Sequence, residues 1–202
     1  MSENNQVFKF FSQPVFKYQV KNYEELNKSL LDYIYNLQNE DKEGVKKSNI
    51  LGWHSKPFDL SNKEAPPNKF FANINNEIAD VFNKYGWVFE PSKVKCTSMW
   101  SIINKKNSFN IEHTHANHYL SAAYYVKTHE GCGKIKFTNP NLVSRQRNPL
   151  IENKTEFNQN GIEIDPKEGD LLFFPAYLTH EVLKNNSDDE RIVISFNIDV
   201  AR

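Results

Sequence analysis

The second half of the chain, from residue 94 on, consists of short segments rich in Val, Ile, Phe and Tyr that are interrupted by Gly, Pro and Asn. β-Branched and aromatic residues favour strands, and the interrupting residues favour turns. Many short strands without alternating helical segments are typical of a β-sandwich or barrel. The predicted strands cover residues 94–103, 119–127, 134–137, 170–174, 181–183 and 191–200.

The first half carries two amphipathic helical patterns. Apolar residues recur at helical spacing within 26–37 and again within 71–85. Asn22 followed by Glu25 predicts an N-cap with its capping-box partner, and Gly86 stands where a helix C-cap belongs. We interpret both patterns as helices that pack against one face of a sheet.

Length predicts one domain over residues 1–202. Residues 1–93 would supply a strand and helix support, and residues 94–202 would form the β core. The expected fold class is therefore mainly β with flanking helices. The sequence does not indicate an oligomeric state.

Composition limits the partners and the compartment. Lys and Arg number 25 and Asp and Glu number 25, so no net charge draws the chain to nucleic acid or to an anionic membrane. No apolar run approaches the roughly 20 residues that cross a bilayer. Residues 1–7 are polar and lack a signal-peptide core, and Cys96 and Cys132 show no metal-type pairing. We expect a cytoplasmic protein with reduced thiols.

Three of the six histidines fall within residues 113–118. In an extended segment His113 and His115 project to the same face, so their imidazoles can meet at one point. His180 lies where one apolar segment ends and the next begins, a place from which a side chain can point into a barrel mouth. Three neutral imidazoles leave positions open on a divalent metal, which is a catalytic geometry. A surface His-x-His pair without metal is the alternative interpretation.

The last predicted strand, residues 191–200, alternates polar and apolar side chains. If helices cover its apolar face, its polar face, which includes Arg191 and Ser195, lines the barrel interior. A hairpin between residues 181–183 and 192–194 would place Arg191 roughly 13 Å of backbone from His180. An Arg side chain that reaches back from there leaves room for a five-carbon diacid between the metal and the guanidinium. A guanidinium also binds a terminal carboxylate in a bidentate way.

Several motifs, in their order along the chain, resemble one family. They are SNILGWHS at 48–55, His113-Thr-His115, LSAAYYV at 120–126, FPAYLTHEV at 174–182 and RIVISFN at 191–197. Together they are similar to the 2-oxoglutarate/Fe(II)-dependent oxygenases of bacteria and phages, which are relatives of the prolyl hydroxylases. The resemblance extends over most of the chain.

The resemblance implies a double-stranded β-helix, or jelly roll, with iron at its open end. It implies His113 and His180 as the outer members of the ligand triad. Most of the family carries an acidic residue in the slot of His115, which we keep as the third ligand. Arg191 would bind the distal carboxylate of 2-oxoglutarate, and Tyr125 and Ser195 would contribute hydroxyl groups.

The implied activity is that of an Fe(II)/2-oxoglutarate-dependent dioxygenase that uses O₂, releases succinate and CO₂, and hydroxylates an unidentified peptide or small molecule. Neutral imidazoles are needed for ligation, so activity is expected to decrease when the pH drops well below about 6.5. Trp53, His54 and Trp100 are candidates for the substrate approach, with aromatic packing as the alternative.

Two other functions are open at this point. One is a cupin-like three-histidine dioxygenase or isomerase that does not use 2-oxoglutarate. The other is a non-catalytic jelly-roll binding protein in which Arg191 holds a partner's carboxylate.

Overall fold

The computed structural model describes residues 6–146 and 149–201. The helices are α1 (Tyr23–Glu40), α2 (Pro66–Asn73), α3 (Asn75–Tyr85) and α4 (Leu142–Gln146). The strands are β1 (Phe16–Gln19), β2 (Asn49–Ile50), β3 (Trp53–His54), β4 (Val94–Asn104), β5 (Phe109–His113), β6 (Leu120–Lys127), β7 (Ile135–Thr138), β8 (Gly161–Ile164), β9 (Asp170–Pro175), β10 (His180–Val182) and β11 (Arg191–Val200).

The strands form two antiparallel sheets. The larger sheet has the order β1-β9-β6-β11-β4-β3, and the smaller has the order β2-β5-β10-β7-β8. From β4 on, the chain passes repeatedly from one sheet to the other, as a jelly roll does. The predicted double-stranded β-helix is confirmed.

The alternation in β11 separates two apolar cores. Ile192, Ile194 and Phe196 are fully buried in the core on the helix side of the larger sheet. Val193 lies in the second core, between the two sheets. Because successive side chains of a strand point to opposite faces, Arg191 and Ser195 share the inner face with Val193. The interpretation of this strand from its period is confirmed.

Helices α1, α2 and α3 cover the outer face of the larger sheet, as predicted. Phe70 of α2 packs on Tyr124 of β6, with ring centroids 4.4 Å apart. Asn27 of α1 donates to the Val126 carbonyl at 2.8 Å and accepts from the Tyr124 hydroxyl at 2.6 Å. These buried bonds hold α1 on β6, a strand that also borders the cavity.

Two details of the predicted helices differ in the structure. Asn22 adopts a left-handed backbone with φ of 53° and makes no side-chain cap bond, so the predicted capping box is wrong. A capping side chain requires an extended backbone at that position. The second pattern breaks at Ile74 into α2 and α3. Gly86 closes α3 with φ of 68°, as expected of a C-cap glycine.

The predicted hairpin between the last two strands is also wrong. β10 pairs with β5 and β7 in the smaller sheet, while β11 pairs with β4 and β6 in the larger one. The loop between them is held by Asn185, whose amide donates to the Asn104 carbonyl at 3.0 Å. Arg191 and His180 therefore reach the interior from opposite walls.

Strands from the first 93 residues extend both sheets. β1 pairs with β9, β3 with β4, and β2 with β5. β2 and β3 have two residues each, too few to show a period in the sequence. In the described part of the chain, none of the helices has both the length and the apolarity that a membrane crossing needs.

Candidate metal and co-substrate site

A cavity of about 810 Å³ opens between the two sheets. His113, His115 and His180 line it, and so do Tyr125 and Arg191. The structure therefore brings the five main predicted residues to one space. A volume of this size accommodates more than a five-carbon dicarboxylate.

The three histidines converge. One nitrogen of each lies within 4.8 Å of the others, which is the spacing of groups that could hold a metal ion. The centroid of the His113 ring is 4.4 Å from that of His180 and 5.2 Å from that of His115. His113 and His180 are direct partners across β5 and β10, which explains their approach.

Backbone carbonyls orient two of these rings. Nδ1 of His113 lies 2.7 Å from the Ile111 oxygen, and Nδ1 of His180 lies 2.9 Å from the Leu178 oxygen. A carbonyl can only accept, so Nδ1 carries the proton in both rings and Nε2 presents its lone pair. This is the tautomer and the type of support that metal-binding histidines use.

His115 is held differently. It follows the end of β5, and its backbone N–H donates to the Ala176 carbonyl at 2.8 Å. Its ring lies nearly parallel to Trp100, with centroids 5.6 Å apart and planes at 19°. His54 stacks on Trp100 in turn, at 5.8 Å and 7°. Stacking therefore orients the third ring, since its side chain makes no hydrogen bond within the described residues.

Enclosure keeps the rings neutral. Burial lowers the pKa of His113, and it lowers the pKa of His115 to about 4 and that of His180 to about 3, with a smaller effect from the neighbouring histidines. At neutral pH these imidazoles carry free lone pairs. Neutral nitrogen is the form that binds a metal.

Arg191 lies at the inner end of the cavity with 1% of its surface exposed. One guanidinium nitrogen donates to the carbonyls of Cys132 and Gly133 at 3.0 and 2.9 Å. Its Nε has no partner, and no carboxylate pairs with the group in residues 6–146 and 149–201. Burial lowers the pKa of Arg191, but a guanidinium stays protonated at neutral pH. The cavity thus holds an unpaired positive charge.

The two predicted hydroxyl residues lie on the same inner face. Tyr125 is 1% exposed, and burial raises the pKa of its phenol while Arg191 opposes that rise. Ser195 lines the cavity opposite Trp100 in the strand register, four residues along β11 from Arg191. A contact of Ser195 with the same carboxylate as Arg191 stays a prediction.

The three candidates for the substrate approach separate. His54 and Trp100 line the cavity. Trp53 does not: its indole lies in the helix-side core and donates to the Asp41 carbonyl at 2.7 Å. Adjacent residues of β3 face opposite sides of the sheet, so only one of Trp53 and His54 can reach the cavity. For Trp53 the packing alternative is correct.

The cavity also has a polar wall that was not predicted from the sequence, formed by Ser48, Asn104 and Asn110. Asn104 and Asn110 are 0% and 2% exposed. The only sequence signal was the segment 48–55, because buried amides have no periodic pattern of their own.

Residues 98–197 match a family model described as "Putative 2OG-Fe(II) oxygenase". This chain carries a domain of the 2OG-Fe(II) oxygenase family. The match spans the three converging histidines and Arg191, and Fe(II), 2-oxoglutarate and O₂ are the family's cofactor and co-substrates. It favours the oxygenase over the cupin-like and non-catalytic alternatives.

Solved structures share the fold. The chain is similar to a Pseudomonas putida prolyl-4-hydroxylase, with a TM-score of 0.66, 12% identity, and coverage of 95% of this chain and 94% of that one. It is also similar to a viral collagen prolyl hydroxylase from Paramecium Bursaria Chlorella virus-1, with a TM-score of 0.58, 14% identity, and coverage of 91% and 94%. The epimerase SnoN from nogalamycin biosynthesis has a TM-score of 0.66 at 11% identity, with coverage of 94% and 77%. A search of curated proteins found no match.

Proposed function

We propose that this oxygenase binds Fe(II) through His113, His115 and His180, and binds the distal carboxylate of 2-oxoglutarate through Arg191. The observation that carries the proposal is one cavity with converging neutral imidazoles on one side and an unpaired buried guanidinium on the other. Each of these features needs a ligand, and one chelating dicarboxylate with a metal ion satisfies both.

The donor set fits the metal. Imidazole nitrogen is a good ligand for Fe(II), and three ligands on one side of the ion leave positions for a chelating co-substrate and O₂. Three neutral ligands leave the ion one charge more positive than the usual two histidines and a carboxylate. The dianion of 2-oxoglutarate balances that charge.

The inner end of the cavity fits the co-substrate. A buried charge without a counter-ion is costly, so Arg191 favours a carboxylate strongly. Its carbonyl contacts fix the side chain before the ligand arrives, which lowers the entropy cost of binding. We assign the Tyr125 hydroxyl to the same carboxylate, because it lies beside Arg191 in the cavity.

When bound, Fe(II) and 2-oxoglutarate couple oxidative decarboxylation, which yields succinate and CO₂, to oxidation of a C–H bond by O₂. The chain orients the ligands through Ile111, Leu178 and Trp100, and its apolar walls limit water. Hydroxylation of a peptide or a small molecule is the expected outcome.

The finer assignments are proposals too. We propose one functional domain over residues 1–202, in which residues 1–93 support the core of residues 94–202. The free thiols of Cys96 and Cys132 support a cytoplasmic location. The balanced charge argues against nucleic acid or a membrane as partner. A bacterial or phage origin rests on the sequence resemblance alone.

An anaerobic titration tests the proposal. Adding Fe(II) and then 2-oxoglutarate to the purified protein should produce a metal-to-ligand charge-transfer band, and air should then release succinate. The band should be absent in Arg191→Met at the same co-substrate concentration, although that variant still binds metal. A wild-type protein that binds metal but never 2-oxoglutarate would support the cupin-like function instead.

A further inference from the structure

One wall of the cavity is a hydrogen-bonded row of polar side chains, formed by Asn104, Asn110 and Ser48. The Asn104 amide donates to Asn110 Oδ1 at 3.4 Å, and the Asn110 amide donates to Ser48 Oγ at 3.1 Å. Ser48 Oγ lies 3.5 Å from His113 Nε2. The row, here called the amide wall, runs from the metal triad toward the inner end of the cavity.

The amide wall has an open acceptor. Asn104 is 0% exposed, lines the cavity, and its Oδ1 has no partner in the described part of the chain. A buried polar atom without a partner is costly, so a ligand that supplies a donor gains affinity there. The dianion of 2-oxoglutarate has acceptors only and cannot fill this role. The donor must therefore come from water or from another ligand that displaces it.

Metal binding would free a donor in the same row. His113 Nδ1 donates to the Ile111 carbonyl, so Nε2 is an acceptor, and Ser48 O–H is the group that can donate to it. When Nε2 binds a metal, that acceptor is taken. The Ser48 hydroxyl can then donate to a ligand, so the wall offers an acceptor at Asn104 and a donor at Ser48.

Charge adds a second requirement. Among the described residues that line the cavity there is no Asp or Glu, and Lys47 and Arg191 are its Lys and Arg side chains. Arg191 is committed to 2-oxoglutarate under the proposed function. Lys47 forms no ion pair with any described residue and follows directly after Lys46, which does not line the cavity. The remaining positive charge favours an anion.

We propose that the amide wall and Lys47 form the prime-substrate subsite, and that the substrate class is an anionic amide: a molecule with an amide N–H for Asn104 and a negative group for Lys47. This inference rests on the proposed function, because it takes Arg191 and the triad as occupied by co-substrate and metal.

Three matched probes test the two requirements separately. N-acetylglycine has both the N–H and the carboxylate, N-acetylsarcosine lacks the N–H, and N-acetylglycinamide lacks the charge. Their dissociation constants are measured by ligand-observed NMR on the full chain loaded with diamagnetic Zn(II) and 2-oxoglutarate. The wild-type protein should bind N-acetylglycine about fivefold more tightly than either of the other probes, as one hydrogen bond or one partly exposed charge pair provides.

The variants should dissociate the two preferences. Asn104→Leu should abolish the N–H preference and keep the charge preference, and Lys47→Gln should do the reverse. Lys46→Gln and Ser101→Ala are the controls; Ser101 carries another unpartnered buried hydroxyl on β4 but does not line the cavity. Both controls should keep both ratios. A folding defect weakens all probes alike and leaves the ratios unchanged, so ratios are the diagnostic.

Equal affinity of the wild-type protein for the three probes, or ratios that survive both variants, would overturn the inference. If the wild-type protein fails to bind Zn(II) or 2-oxoglutarate, that result would instead contradict the proposed function. The two failures are thus distinguishable in the same samples.

Discussion

The two ends of the cavity show opposite responses to the same enclosure. At the outer end, burial lowers the pKa of His115 and His180 far below the ordinary value, so the imidazoles lose their protons. At the inner end, Arg191 is even more buried but keeps its charge. An imidazole can escape the cost of burial by deprotonation, whereas a guanidinium cannot. One apolar enclosure therefore prepares a metal site at one end and a carboxylate site at the other.

The largest expected effect is a loss of metal binding at the outer end of the cavity. His180→Ala should weaken Zn(II) or Co(II) binding by about a hundredfold or more, because loss of even an outer-shell partner costs 10- to 100-fold. Competition with a chromophoric chelator measures the affinity. His129→Ala, which removes a histidine outside the triad, is the control. Unchanged affinity in His180→Ala would remove the triad from the site.

The next largest effect is a loss of 2-oxoglutarate binding at the inner end of the cavity, without a loss of metal binding. Arg191→Met should lower 2-oxoglutarate affinity about a hundredfold, as expected for removal of one partner of a buried ion pair, while metal affinity stays within about twofold. Isothermal titration in the presence of Zn(II) measures both. Arg191→Lys should fall between, because it keeps the charge but loses the bidentate fork. Equal losses in metal and co-substrate affinity would show that the two ends are not independent.

A smaller effect tests the aromatic support of His115. Trp100→Leu should weaken metal binding about tenfold, because the ring of His115 loses the stack that orients it. Trp100→Phe keeps an aromatic face and should recover most of the affinity. The Co(II) absorption spectrum reports the ligand geometry in each variant. An unchanged spectrum in Trp100→Leu would argue that the backbone and the stack on His180, with centroids 5.2 Å apart, suffice to orient His115.

The smallest expected effect is a pH dependence of the free energy of unfolding, which comes from the buried histidines and not from Arg191. In the metal-free protein the folded histidines have lowered pKa values, so below about pH 6.5 the unfolded chain binds more protons than the folded one. The free energy of unfolding should therefore decrease as pH falls from about 6.5 toward about 4. Urea unfolding at several pH values measures it, and His180→Phe should reduce the slope. A slope of zero in the wild-type protein would contradict the neutral-ring assignment.

The lowered pKa values of these histidines also change the pH at which activity is expected to be lost. From ordinary histidines the sequence predicted a loss well below about pH 6.5. The loss of metal should therefore occur at lower pH, since burial lowers the pKa of His115 to about 4 and that of His180 to about 3, and protons then compete less effectively with the metal.

Much of the site could be predicted from the sequence, because its signals are local. The His-x-His spacing predicted that His113 and His115 face the same way, and the alternation of residues 191–200 predicted that Arg191 faces the interior. His180 was expected there from its position between two apolar segments and from the family resemblance, whereas the hairpin that should have joined it to Arg191 does not form. Contacts between distant segments could not be predicted. His54 stacks on Trp100, which is 46 positions away in the sequence. Asn110 donates a hydrogen bond to Ser48, which is 62 positions away.

The sequence by itself determined which face each side chain takes along a strand and which chemical groups are available, since both depend on residue type and local period. Only the tertiary structure decided that β10 and β11 lie in opposite sheets, that Trp53 packs outward while His54 faces the cavity, and that the triad is shielded enough to stay neutral. The physical reason is that strand pairing and burial depend on contacts between remote segments, which no local pattern records.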